Sequence, residues 1–138
     1  MKKPEKIKNL PNEIKKLYDN LLASDSIPFP KKRQPVKAPK EQGVYIIYSP
    51  EEKTLHVGRT NRAKGGLKQR LHNHLSNASS FSNIYLKQKG QKGDILREGY
   101  KFKCIVENDP KNRAYLEALT TGLLCPDHIG TGEKVKSN

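Results

Sequence analysis

The spacing of hydrophobic positions changes three times along the chain. Leu10, Ile14, Leu17 and Leu21 recur at steps of three and four, which predicts an amphipathic helix over roughly 11–22. From Ser24 to Gln42 the period disappears into lysines broken by Pro30, Pro35 and Pro39, the composition of a linker. At Gly43 a period of two begins. Val44, Ile46 and Tyr48 share one face of a strand, with Tyr45 and Ile47 on the other. Ser49–Lys53 is turn material, and Thr54–Gly58 forms the returning strand of an antiparallel hairpin.

Beyond the hairpin, Asn61–Gly66 reads as a basic flexible loop carrying Arg62, Lys64 and two glycines. Backbone N–H groups at such a loop and helix start can hold phosphate oxygens. Leu67, Leu71 and Leu75 form the next helical stripe, with Arg70 and His74 at positions that are usually apolar. Both are therefore expected to face the sheet, and His72 the solvent. Asn83–Lys89 predicts a further short helix. Lys101–Glu107 alternates Phe102, Cys104 and Val106 with charged residues, a third strand. Asp109 and Pro110 start a last helix, carried by Tyr115, Leu116, Leu119 and Leu123 to Cys125-Pro126. The expected fold is α+β: a small three-stranded antiparallel sheet flanked by helices in residues 43–138, preceded by a helix and basic arm in residues 1–42.

A chain of 138 residues, of which 33% are hydrophobic, supports one modest core. Its net charge of +13 points to a polyanionic partner, nucleic acid before others. Residues 1–40 hold +7 of that charge. Within them Lys31, Lys32 and Arg33 either lie along a phosphate backbone or belong to a solvated linker. No apolar stretch is long enough to cross a bilayer, and the two cysteines lack metal-ligand spacing. A reducing, cytoplasmic setting without a membrane partner is the expectation; a homodimer is compatible with it.

The residues with chemical potential come in a fixed order. Gly43-Val44-Tyr45 is followed after ten residues, 46–55, by His56-Val57-Gly58-Arg59-Thr60, then by the run Leu67–His74 containing Arg70, and finally by Leu116-Glu117-Ala118. This series resembles the GIY-YIG nuclease family over roughly 43–124. The resemblance implies a small nuclease fold, with Tyr45 and His56 activating water and His74 beside them. It also implies Arg70 on the scissile phosphate and Glu117 as the single ligand of Mg²⁺ or Mn²⁺. The implied activity is metal-dependent hydrolysis of DNA phosphodiesters, leaving 5′-phosphate and 3′-hydroxyl ends, in a compact chain more like the family's small restriction endonucleases than its repair or recombination nucleases.

The chemistry suits the residue types. A guanidinium is always charged and can bind two phosphate oxygens at once. A single carboxylate suffices for Mg²⁺, which keeps several of its waters. Imidazole titrates near neutrality and can shuttle a proton.

The chain also departs from the family. His56 stands in place of a second tyrosine. The longer interval to Arg70 leaves Arg59 or Arg62 as rival phosphate contacts. The family's asparagine after the last helix is absent, with Asp127, His128 or no residue at all in its place. Glu117 is alternatively half of an i, i+4 ion pair with Arg113 on an exposed flank. Two other functions stay open: a catalytically silent nucleic-acid-binding protein of the same fold, and a metal-independent ribonuclease using His56 and His74 as acid and base.

Overall fold

The fold was obtained as a computed structural model that describes residues 5–61 and 64–130, with side chains from residue 12 onward. The elements in order are α1 (Glu5–Ala23), β1 (Ile27–Pro28), β2 (Gly43–Tyr48), β3 (Thr54–Arg59), α2 (Gly66–Leu75), a π-helical segment (Phe81–Leu86), a 3₁₀ turn (Gly93–Arg97), β4 (Lys101–Val106) and α3 (Pro110–Leu124). The expected helix at 83–89 is this π-helical segment and its continuation. α1 begins at Glu5, upstream of the expected start near residue 11, and continues past Pro11.

The sheet has four strands, not three, in the order β1-β4-β2-β3, and every pairing is antiparallel. The strand that the sequence reading lacks is β1, where Ile27 and Pro28 pair with Phe102 and Lys101. Two residues are too few for a period, and a proline argues against a strand. Pro28 is accommodated because β1 lies at the edge, where a missing N–H breaks no ladder on the outer side.

The two faces of β2 divide the core as the alternation predicts. Tyr45 and Ile47 pack with Leu67, Leu71 and Leu75 of α2 and with Phe81, Leu86, Leu96 and Phe102. Val44, Ile46 and Val57 pack with Ile14 and Leu21 of α1 and Leu116 of α3. α3 is held at its start by Asp109, whose carboxylate accepts from the backbone N–H groups of Lys111 (2.8 Å) and Asn112 (3.1 Å), with Pro110 at the first helical position. A left-handed Cys125 (φ 47°) ends it before Pro126.

The segment expected as a free linker packs against the body. Phe29 and Val36 are each 4% exposed and belong to the α2-side core. The Pro39 and Glu41 carbonyls accept from Lys68 N–H and Leu67 N–H, both at 2.9 Å. These first N–H groups of α2 are therefore already satisfied and are not offered to a phosphate. Gly66 makes the approach possible: its φ is +55°, and a Cβ there would overlap the Lys40 and Glu41 carbonyls. Isolated apolar residues between prolines carry no periodic signal, which is why this packing is invisible in the sequence. Among the described residues no helix is long and apolar enough to cross a membrane.

Candidate active site

β3 is the other edge of the sheet, with α2 against one face and α3 against the other. After α3 the chain returns beside the first half of β3. His128 N–H donates to the Leu55 carbonyl (2.9 Å), Asp127 N–H donates to the Thr54 carbonyl (3.3 Å), and His56 and His128 form a parallel bridge. Beyond His56 no described residue pairs with the outer edge of β3. Above it opens a cleft of about 490 Å³, lined among others by His56, Gly58 and Arg59 of β3, Arg70 of α2, Glu117 of α3 and His128.

Glu117 is the one carboxylate among the described residues lining this cleft. Its Oε1 lies 3.6 Å from Arg59 Nε. Partial burial raises its pKa above the ordinary carboxylate value, against the opposing pull of the Arg59 and Arg70 guanidinium groups. The alternative pair with Arg113 does not form. Arg113 is 6% exposed and donates to the carbonyls of Glu107, Asn108 and Asn61 at 3.1–3.3 Å.

Two polar atoms of the cleft residues have no partner. Arg70 Nε and His56 Nε2 are buried without a hydrogen bond among the described residues. Such orphans are rare in folded proteins and call for a ligand or water. His56 is 3% exposed, stacks on Phe81 at 5.2 Å and places Nδ1 3.5 Å from the His128 carbonyl. Burial, with the His128 ring and the Arg70 charge adding to it, drives its pKa down to about 3. It is neutral at pH 7.

Tyr45 and His74 lie under the floor of the cleft and not within it. Both are 0% exposed, and the Tyr45 hydroxyl is 2.7 Å from His74 Nε2. His74 Nδ1 is 2.7 Å from Ser79 Oγ, Ser79 donates its hydroxyl to Ser82 Oγ (3.3 Å), and Ser82 donates to the His74 carbonyl. The single Ser79 proton is thus used, so His74 Nδ1–H donates to Ser79 and its Nε2 accepts from Tyr45. The Tyr45 oxygen remains an acceptor toward Arg70, whose charge lowers its pKa. Burial outweighs that and pushes it up to about 12. Tyr45 stands opposite Gly58 in the β2–β3 register, and a Cβ on Gly58 would overlap its hydroxyl and ring. Glycine is required there by the ring crossing it.

The structure therefore brings His56, Arg59, Arg70 and Glu117 to one cleft and sets Tyr45 and His74 directly beneath. Lys31, Lys32, Arg33 and Lys64 do not line it; Arg62 lies outside the described residues. Of the two candidates after α3, His128 lines the cleft, whereas Asp127 pairs with Lys53 (3.0 Å) and accepts from the Tyr85 hydroxyl (2.9 Å). Ser79, which sets the tautomer of His74, was missed; a serine five residues past a histidine carries no recognisable sequence signal. His74 has both ring nitrogens engaged, and its pKa is driven well below the ordinary value by burial. That gives no support to a His56/His74 acid–base pair.

No group of three or more His, Cys, Asp or Glu among the described residues converges as a metal cage. A hard cation that keeps its waters needs less. Glu117, with a carboxylate whose ionisation is under-compensated despite Arg59, fits one that also takes oxygens from a substrate. Comparison of the chain with family models, curated proteins and solved structures finds no match.

Proposed function

We propose that this protein is a nuclease of the GIY-YIG type that hydrolyses DNA phosphodiesters with Mg²⁺ or Mn²⁺ at the β3 cleft. The observation that carries the reading is the pair of buried, unpartnered atoms, Arg70 Nε and His56 Nε2, on residues that line one cleft together with Glu117. A phosphate between them would satisfy the first as an acceptor. A water would satisfy the second.

In this reading Arg70 holds the scissile phosphate and stabilises the charge that develops on its oxygens. Neutral His56 accepts a hydrogen bond from the attacking water through Nε2 and takes up its proton. Burial holds its basicity low, with the His128 ring and the Arg70 charge adding to it, and an anionic phosphate in the cleft would offset the Arg70 part. Tyr45, with its proton donated to His74, positions Arg70 rather than acting as the base. Glu117 would hold the metal, which supplies Lewis-acid stabilisation of the reacting phosphate. Arg59 balances Glu117 until then. Both free thiols, Cys104 and Cys125, suit the reducing cytoplasm we assign to it.

The test is Glu117→Gln, assayed by nicking of supercoiled plasmid in Mg²⁺. The variant keeps shape and loses charge, so it should fold, bind DNA as well or better, and cleave slower by orders of magnitude. Nicking near the parent rate would remove the metal assignment. The Arg59–Glu117 pair favours a second reading, a silent nucleic-acid-binding protein in which the carboxylate is permanently neutralised. A parent protein that binds plasmid and never nicks it would establish that one.

A further inference from the structure

α2 has a second polar flank. Lys68 and His72 each lie two residues from Arg70, about 200° around the helix axis. They line a separate groove of about 610 Å³ whose other wall is formed by Arg33, Gln34 and Lys40 and whose end is Arg97. No Asp or Glu among the described residues lines it. Arg97 is committed, to Asp94 (3.2 Å) and to the Pro30 and Lys31 carbonyls (2.9 and 3.0 Å). Arg33, Lys40 and Lys68 form no ion pair among the described residues.

The wall carrying Arg33 and Lys40 is fixed, because Val36 is buried and Pro39 and Glu41 are bonded to the start of α2. Three unneutralised cations are thereby held around one groove with two amide side chains between them. Among the described residues its apolar lining is Pro35 and the buried Val36, which offers no anchor to a protein partner. One helix, about 10–12 Å across with its side chains, separates the groove from the cleft. That is about three base-pair rises of 3.4 Å along a duplex axis.

We propose that this groove binds the sugar–phosphate backbone of the same strand whose phosphate lies at Arg70, so that one polyanion straddles α2. The proposal rests on the nuclease reading. Backbone binding of this kind sets register and not sequence.

The experiment is a fluorescence-anisotropy titration of duplex DNA against NaCl, without divalent metal. The parent is compared with the triple variant Arg33→Gln, Lys40→Gln, Lys68→Gln. A control triple, Lys15→Gln, Lys16→Gln, Lys111→Gln, removes the same charge from α1 and α3 on the opposite face of the sheet. The groove triple should reduce the slope of log Kd against log salt by about 2–3, near 0.9 for each phosphate that is no longer neutralised, and the control by less than about 1. Lys68→Gln alone should remove about 1, which keeps the test open if the triple folds poorly.

Equal slopes for the two triples would show that net charge alone acts and would overturn the proposal. So would a groove triple that keeps the parent's DNA binding but loses binding to polyglutamate, which would assign the groove to an acidic protein. The two readings fail separately. A parent that never nicks plasmid, with the groove triple still losing slope, ends the nuclease reading and leaves the groove a nucleic-acid track.

Discussion

Acidification should unfold this protein through its buried histidines. His56 and His74 sit in rings of their own kind: His56 is 5.4 Å from His74 and 5.2 Å from His128, and the Arg70 charge opposes protonation of both His56 and His74. Both folded-state pKa values lie below the unfolded value of 6.5, His56 at about 3. Between the two limits the unfolded chain binds more protons, so stability falls as pH falls, by about 1.4 kcal/mol per pH unit for each histidine.

From pH 6.5, where an unfolded histidine is already half protonated, to pH 5, two such histidines remove about 3 kcal/mol, a large share of a typical domain's stability. His128, lowered by burial, adds in the same direction. Glu117, raised by burial, gains stability on protonation and works the other way, nearer to its ordinary range. The assay is urea unfolding at pH 7.5, 6.5 and 5. With a slope of about 2 kcal/mol per molar urea, the midpoint should drop by about 1.5 M between the last two. His56→Phe keeps the stack on Phe81 and deletes one proton site, so its pH dependence should be about half as steep. A midpoint constant to about 0.3 M from pH 7.5 to 5 would refute the buried, neutral histidine cluster.

Three further outcomes are expected. Arg70→Ala should lower plasmid cleavage far more than DNA affinity, since it holds one reacting phosphate while a +13 charge distributes general binding; equal losses of both would make it an ordinary backbone contact. Gly58→Ala should cost about 2–4 kcal/mol through overlap with Tyr45 and strain on its bond to His74, lowering the melting temperature by about 8–15 °C; a melt within about 2 °C of the parent would contradict the β2–β3 register. Deleting residues 1–40 should abolish cooperative unfolding, because Ile14, Leu21, Phe29 and Val36 are core residues; a truncated chain that melts cooperatively would show that the segment is dispensable.

What the sequence displayed was periodic. The Tyr45–His56 hairpin, the two faces of β2, and the leucine stripe that turns His74 inward all follow from spacing alone. Asp109 and Pro126 marked both ends of α3. What it concealed depends on contacts between distant residues. Phe29 and Val36 carry no period, and β1 acquires meaning only from β4. Glu117 has a ready partner four residues away in Arg113, yet it pairs with Arg59, 58 positions upstream. That choice is made by α3 lying across β3 and by the carbonyls that capture Arg113. That His128 and not Asp127 lines the cleft likewise depends on a distant contact, the bridge to His56.

Both margins of the sheet are closed to outsiders by different means. On one side β1 is two residues long and ends in a proline, which has no N–H to offer a neighbouring chain. On the other, the return of residues 127 and 128 occupies the start of β3, while α2 and α3 wall the remainder and line it with charge. Self-assembly by strand addition, the usual hazard of an exposed edge, is thereby discouraged. The exposed apolar side chains of α3, Tyr115 and Leu123 at 43% and 58%, lie instead on a helical surface away from either margin.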